Sequence, residues 1–261
     1  MKYFIDTEFN EHTVLVYNNF FTKLNSINTI ELISIGIVAE DGREYYAISN
    51  DFNIKTAWNK FDIKDGKKIY WLRDNVLKSI YIELEIEYIK EYNPVLWLMN
   101  QDADWKSDYK EEFFTYNRLT YLIKKYGKSN IQIANEIKEF CSIGCAMDKF
   151  IQNNNYEYIF NEVPVFYGYY ADYDWVVFCW LFGNMINLPK GFPMYCNDLK
   201  QTLDEKQIQH TNMINANVFM NRREYTFVKD FPHYPKQTNE HNALSDARWN
   251  KQLYEFLQLI N

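Results

Sequence analysis

The 261-residue sequence predicts an α/β protein with a mixed central sheet, three antiparallel strands at its N-terminal end, flanking helices and a helical insertion. Two observations predict it. Strand signals crowd the first fifty residues, at Lys2–Thr7, Ile30–Ala39 and Glu44–Ser49, with the turn Glu40-Asp41-Gly42-Arg43 joining the last two. From Ser129 onward, helical and strand patterns alternate until an amphipathic helix closes the chain. A 47% apolar composition is enough to build a substantial core.

Taken in order, Lys2–Thr7 reads as a buried strand, and Asn10–Thr29 as a long loop of the kind that is often functional. Trp71–Ile80 has helical spacing, with Trp71, Leu72, Val76, Leu77 and Ile80 on one face. Glu83–Tyr92 and Tyr109–Tyr126 also look helical, with an aromatic, acidic joint around Asn100–Asp108. Residues from about 81 to 127 are read as an insertion in a single domain spanning 1–261. Ser129–Ser142 is an amphipathic helix with Ile133, Ile137 and Phe140 toward the core, and Gly144–Asn161 is polar and loop-like. Val163–Tyr169 is a buried strand, Asp174–Phe182 a helix stopped by Gly183, and Phe192–Cys196 a short strand. Asp198 suits the cap of a helix running to about Lys206. Gln207–Glu240 reads mostly as loop, and His241–Leu259 as a final helix burying Leu244, Trp249, Leu253 and Phe256.

The charge of −7 and pI near 5.2 carry no overall nucleic-acid footprint. They leave room for an enzyme acting on a nucleic-acid end, where a metal or a local basic patch supplies positive charge. Abundant Tyr and Phe fit an AT-rich genome better than a stacking surface. Cys141 and Cys145 have no further ligand close enough for a zinc spacing, so the four cysteines are expected as free thiols in a reducing cytosol. The N-terminus enters a charged strand at once, so no signal peptide is expected. The longest apolar stretch, Val163–Met185, is broken by Asp172 and Asp174, which argues against a membrane span.

Chemistry concentrates in acids at three places. Asp6 and Glu8 alternate on the first strand, so both carboxylates point to one side. Like charges so close repel, and a hard divalent cation removes the conflict. Such a pair alone is a weak signal, as is an Asp at a helix start. Asp174 is preferred to Asp172 because Val177, Phe178 and Leu181 follow it at i+3, i+4 and i+7, turning it toward the core; Asp172 then falls at the cap. In His241-Asn242-Ala243-Leu244-Ser245-Asp246-Ala247, the small Ala243 and Ala247 let a helix lie close to the sheet and carry Asp246 to Asp6 and Glu8. Five helical residues rotate direction by about 140°, so His241 fits better on the entry before the first turn. Alone, His241 reads as a surface loop residue.

Together Asp6, Glu8, Asp174, His241 and Asp246 resemble the DEDDh 3′–5′ exonucleases, the proofreading-exonuclease and RNase T superfamily. Glu31-Leu-Ile-Ser-Ile-Gly-Ile-Val-Ala-Glu-Asp-Gly-Arg-Glu-Tyr-Tyr-Ala47 looks like a bacterial and phage subgroup of polyadenylate-specific 3′-exoribonucleases. Tyr173-Asp174-Trp175, Leu181-Phe182-Gly183 and Pro193-Met194-Tyr195-Cys196-Asn197-Asp198-Leu199 look like the same subgroup. The resemblance covers residues 1–80 and 129–261, and fails over 81–127, Asn10–Thr29 and parts of Gly144–Asn161.

The resemblance implies an RNase H-like fold and two divalent ions, Mg2+ or Mn2+. Asp6, Glu8 and Asp246 would hold one, and Asp6 with Asp174 the other. Ions about 3.5–4 Å apart stabilise the attacking and leaving oxygens of an in-line displacement. It further implies His241 as general base and a nucleoside 5′-monophosphate product released from single-stranded RNA 3′ ends in a bacterial or phage-infected cytoplasm. Phe9 is open to two readings, as a stacking partner for the terminal base or ribose, or as ordinary core. DNA as substrate, or an inactive nucleotide- or RNA-binding module, are the alternatives. For the 81–127 insertion, partner binding, a homodimer contact or a lid over the site are all open.

Overall fold

The computed structural model describes residues 1–19, 22–99, 113–142, 151–152, 155–156, 163–215 and 227–260. The expected joint at 100–108, with Trp105, most of Gly144–Asn161 and the thiol of Cys145 lie outside them. Strands β1 (Lys2–Asn19), β2 (Thr22–Ala39) and β3 (Glu44–Ile48) come first. Helix α1 (Ile54–Asn59) and a hairpin of β4 (Asp62–Lys64) and β5 (Lys67–Ile69) follow. A π-turn at Arg73–Leu77 then leads into α2 (Lys78–Tyr92), with α3 (Pro94–Met99), α4 (Tyr116–Tyr126) and α5 (Asn130–Ser142) after it. Short β6 (Ile151–Gln152) and β7 (Asn155–Tyr156) precede β8 (Val165–Gly168) and α6 (Asp172–Leu181). The chain closes through β9 (Asn197–Asp198), α7 (Leu199–Asn215) and α8 (Ala243–Leu259).

The central sheet has the order β3-β2-β1-β8-β9 and is mixed, with helices flanking it. Backbone bonds from Ala39 to Arg43 and from Ser49 to Ile33 close the antiparallel β2–β3 turn, while β8 runs parallel to both β1 and β9. The α/β expectation with a mixed sheet therefore holds. The chain divides into two compact units: Met1–Asp6 with Ile35–Tyr46 and Ala134–Asn261, and Thr7–Ser34 with Ala47–Ile133.

In the first unit, alternation along β1 sends Tyr3 and Ile5 to one face and Phe4 and Asp6 to the other. Tyr3 stacks on Phe166 (5.5 Å), and Phe166 packs on Phe178 (5.1 Å), which lies against Trp175 (4.8 Å). The Tyr3 hydroxyl donates to the Cys141 carbonyl at 2.9 Å, tying α5 to this face. On the opposite face Phe4 clusters with Val38 and Ala247, which seats α8 there. Leu199, Val228, Trp249, Leu253 and Phe256 extend that second core.

Helix α8 comes very near the sheet at Gly36. A Cβ built there would lie 2.2 Å from the Ala243 carbonyl oxygen, so only glycine fits. The Asn250 amide donates to the Ile5 carbonyl at 2.8 Å in a buried bond that fixes α8 beside the end of β1's first segment. Ala243, Ala247 and Asn250 are buried along one side of the helix, as the small-residue spacing predicts.

In the second unit, α2 and α4 bury Ile80, Leu84, Leu119, Leu122 and Ile123. Arg118 grips Glu85 with two bonds of 2.5 and 2.7 Å, which raises the Arg118 pKa further. Thr115 caps α4 by accepting from the Arg118 N–H.

Several expected boundaries differ. Asn10–Thr29 is not a loop: β1 runs to Asn19 and β2 starts at Thr22. The β-branched and aromatic Thr13, Val14, Val16 and Tyr17 favour extension, and Thr13 donates to Asn28 across the pair at 3.0 Å. Trp71–Ile80 and Glu83–Tyr92 are one helical run through the π-turn, with Trp71 exposed at its start. Phe192–Cys196 forms no strand, because Phe192 turns into the aromatic cluster (5.4 Å from Phe166) and Pro193 has no N–H to donate. Strand β9 is confined to Asn197–Asp198, and Asp198 accepts from the Lys200 N–H at 2.7 Å, as a cap should. Helix α7 continues to Asn215 rather than Lys206, and Leu244 is half-buried rather than buried.

The Gly36 contact gives a stability prediction. Gly36→Ala should cost on the order of 1–3 kcal/mol, the usual effect of overpacking, because backbone cannot yield as a side chain does. Urea unfolding of the purified protein measures it, and an unchanged midpoint would refute the close approach.

Candidate metal centre

Strand β1 places Asp6 and Glu8 on the same side, both half-buried, and Asp246 sits in the first turn of α8 with 6% of its surface exposed. These three can each bring one carboxylate oxygen within 4.8 Å of the other two. The helix begins where it must for this. Asn242 is its N-cap and accepts from the Ser245 N–H at 3.1 Å, so Asp246 falls one turn in, a turn before the Asn250 that bonds the Ile5 carbonyl.

The Asp246 carboxylate is held at both oxygens. Gln237 donates to Oδ1 at 2.5 Å, and the His241 backbone N–H donates to Oδ2 at 2.9 Å. Burial pushes the Asp246 pKa up, while these two bonds act in the opposite sense.

His241 precedes the cap, as expected, and its backbone adopts φ 66°. That left-handed geometry costs about 1 kcal/mol or more for a non-glycine residue. The bond to Asp246 offsets the cost. The histidine is thus fixed to one of the acids through its main chain, and it is half-buried.

Asp174 lies in the first turn of α6 and is 6% exposed, with Val177, Phe178 and Leu181 buried after it. Asp172 is exposed, but it is the first helical residue; Ala171 occupies the cap position where Asp172 was expected. Asp174 stands outside the group of three that meets within 4.8 Å. Its charge does reach Cys196, where burial first, and then Asp174 and Asp198, drive the thiol pKa far up and keep the sulfur protonated. Cys179 and Cys196 are free thiols. Phe9 follows Glu8 in β1 and is half-buried.

Sequence reasoning missed Gly36, Asn250 and Gln237. Gly36 lies inside an Ile-rich strand, and a lone glycine there is a legible sign of close backbone approach. Gln237 lies in an irregular stretch and gave no signal.

Hard carboxylate oxygens gathered this closely, one of them buried, fit a divalent cation such as Mg2+ or Mn2+ and suit softer metals poorly. No helix among the described residues is long and apolar enough to cross a membrane.

Two proteins from two strains of Mycobacterium tuberculosis, each named a 3′–5′ exoribonuclease, are 41% identical to this chain over 80 residues. The match covers 31% of this chain and 33% of each relative, so the chain spans about a third of the length of the curated relatives it matches. No family model matches. The similarity supports a nuclease relationship.

The donor set makes a direct prediction. Mg2+ or Mn2+ should raise the melting temperature, with about 2.7 kcal/mol of stabilisation at a hundredfold excess over Kd. Asp246→Asn should lose most of that rise in differential scanning fluorimetry. An equal rise in both proteins would remove Asp246 from the ligand set.

Proposed function

We propose that this protein is a metal-dependent 3′–5′ exoribonuclease with an RNase H-like α/β fold and a DEDDh residue set. The observation that carries the reading is the convergence of Asp6, Glu8 and Asp246 within 4.8 Å, from opposite ends of the chain. The partial similarity to proteins named 3′–5′ exoribonucleases supports the substrate class.

In this reading two cations, Mg2+ or Mn2+, are held by Asp6, Glu8 and Asp246 and by Asp6 with Asp174. The chemistry they would supply when bound is positive charge offsetting the negative charge on the attacking and leaving oxygens of a phosphodiester displacement. The chain's own residues do the rest. Gln237 and the His241 main chain hold Asp246 in one orientation, so a ligand oxygen is set before substrate arrives. The His241 imidazole takes the proton of the attacking water as general base. Phe9 packs on the terminal nucleotide of a single-stranded RNA 3′ end. The product is a nucleoside 5′-monophosphate.

Matched RNA and DNA oligomers, single- and double-stranded, test this with Mg2+ or Mn2+ present. The expected result is mononucleotide release from single-stranded RNA, stopped by EDTA and restored by Mg2+. Asp6→Ala should abolish it with the fold intact by circular dichroism, and His241→Ala should slow it by on the order of 10²–10⁴-fold. Release from DNA alone would reassign the substrate, and inertness toward every oligomer would leave a binding module.

A further inference from the structure

A second, separately built feature lies in the unit formed by Thr7–Ser34 and Ala47–Ile133. Strands β4 and β5 form a two-stranded ribbon of their own, joined by Asp65-Gly66. Both turn residues have positive φ, 52° and 73°, the signature of a tight type I′ turn. Every residue from Asn59 to Ile69 is exposed, with Ile63 at 72% and Phe61 at 41%. An isolated ribbon is marginal in water, so an exposed one with this content calls for a reason.

Its charge is opposite to that of the chain. Between Lys55 and Lys78 lie Lys55, Lys60, Lys64, Lys67, Lys68, Arg73 and Lys78 against Asp62, Asp65 and Asp74, in a protein of net charge −7. Lys64 and Lys67 are directly paired across the ribbon, next to Lys68 opposite Ile63. Like charges placed opposite one another destabilise a strand pair, and a polyanion lying on the ribbon reverses that cost. Cations and rings are interleaved as well: the Lys68 ammonium lies 4.1 Å from the Phe61 ring centre, and the Arg73 guanidinium 4.0 Å from that of Tyr70.

We propose that the β4–β5 hairpin is a contact surface for a single-stranded nucleic acid, with Lys64, Lys67 and Lys68 on its phosphates and Phe61 offering a ring to a base. Ammoniums spaced along the ribbon, with an aromatic ring beside Lys68, suit a flexible polyanion carrying flat bases. This deepens the exoribonuclease reading and rests on it for the choice of RNA.

The test uses the full-length protein and an unstructured RNA of about 20 nucleotides, in EDTA so that binding is read without hydrolysis. Lys64→Gln/Lys67→Gln/Lys68→Gln should weaken binding by about tenfold or more near 0.1 M salt. The slope of log K against log salt should fall by about 2, at roughly 0.7 per lost phosphate contact on a single strand. Phe61→Leu should weaken binding with no change in slope, and the melting temperature should fall in neither variant. Equal affinity and slope in wild type and triple variant would overturn the proposal, as would loss of binding to anionic vesicles but not to RNA. Mononucleotide release by wild type in Mg2+ is scored separately. A wild type that binds RNA through the hairpin yet releases nothing sinks the exoribonuclease reading, and one that releases nucleotides while the hairpin is irrelevant to binding sinks only this inference.

Discussion

The candidate site depends on how closely α8 can approach β1 and β2. Three features set that distance: the missing side chain at Gly36, the small Ala243 and Ala247, and the buried bond from Asn250 to the Ile5 carbonyl. A buried amide that loses its partner costs about 1–3 kcal/mol, so the bond penalises any outward drift of the helix. Asp246 lies one turn before Asn250, and its position follows from the same contact. Asp6 and Asp246 are therefore brought together by packing and hydrogen bonding, against their mutual repulsion.

Packing has to do this because electrostatics opposes it. Unit charges 4.8 Å apart repel by about 3 kcal/mol at an effective dielectric near 20, and three carboxylates make three such pairs. Water at the half-buried Asp6 and Glu8 reduces the sum, while the buried Asp246 feels it more and has its pKa raised by burial. A helix end free to move would swing its acid into solvent. Here Asn242 caps the helix, and Gln237 and the His241 N–H hold both oxygens of Asp246, so the repulsion is retained. A divalent cation bound there would relieve that retained repulsion.

The parts legible in the sequence were those governed by local periodicity. The two-residue spacing of Asp6 and Glu8 placed both on one side of a strand, and the pattern after Asp174 buried it. Ala243 and Ala247 announced a tight helix–sheet contact, and His241 fell just before the cap as the helical rotation required. The parts that were not legible depend on partners far along the chain. Gly36 matters only because of Ala243, and Gln237 only because an irregular segment returns to Asp246. Asn10–Thr29 looked like a loop because each half, taken alone, has weak alternation, whereas each becomes a strand once the other pairs with it. The extension of α7 past Lys206 has the same cause. Gln207 is a fair helix former that its own window leaves undecided, and it accepts from the distant Val228 N–H at 2.8 Å.

The charge distribution follows a related logic. A net charge of −7 repels a polyanion at long range, but salt screens that repulsion within about 8 Å at physiological ionic strength. Beyond that distance overall charge has little say, and within it only the local groups count. An acidic protein can therefore take an RNA end provided two local conditions are met. Cations must neutralise the carboxylates where phosphate has to approach, and fixed positive side chains must meet the rest of the strand. In the proposed reading the acid cluster around Asp6 serves the first condition. The paired lysines of the β4–β5 ribbon, held apart by a stiff two-residue turn, are built for the second.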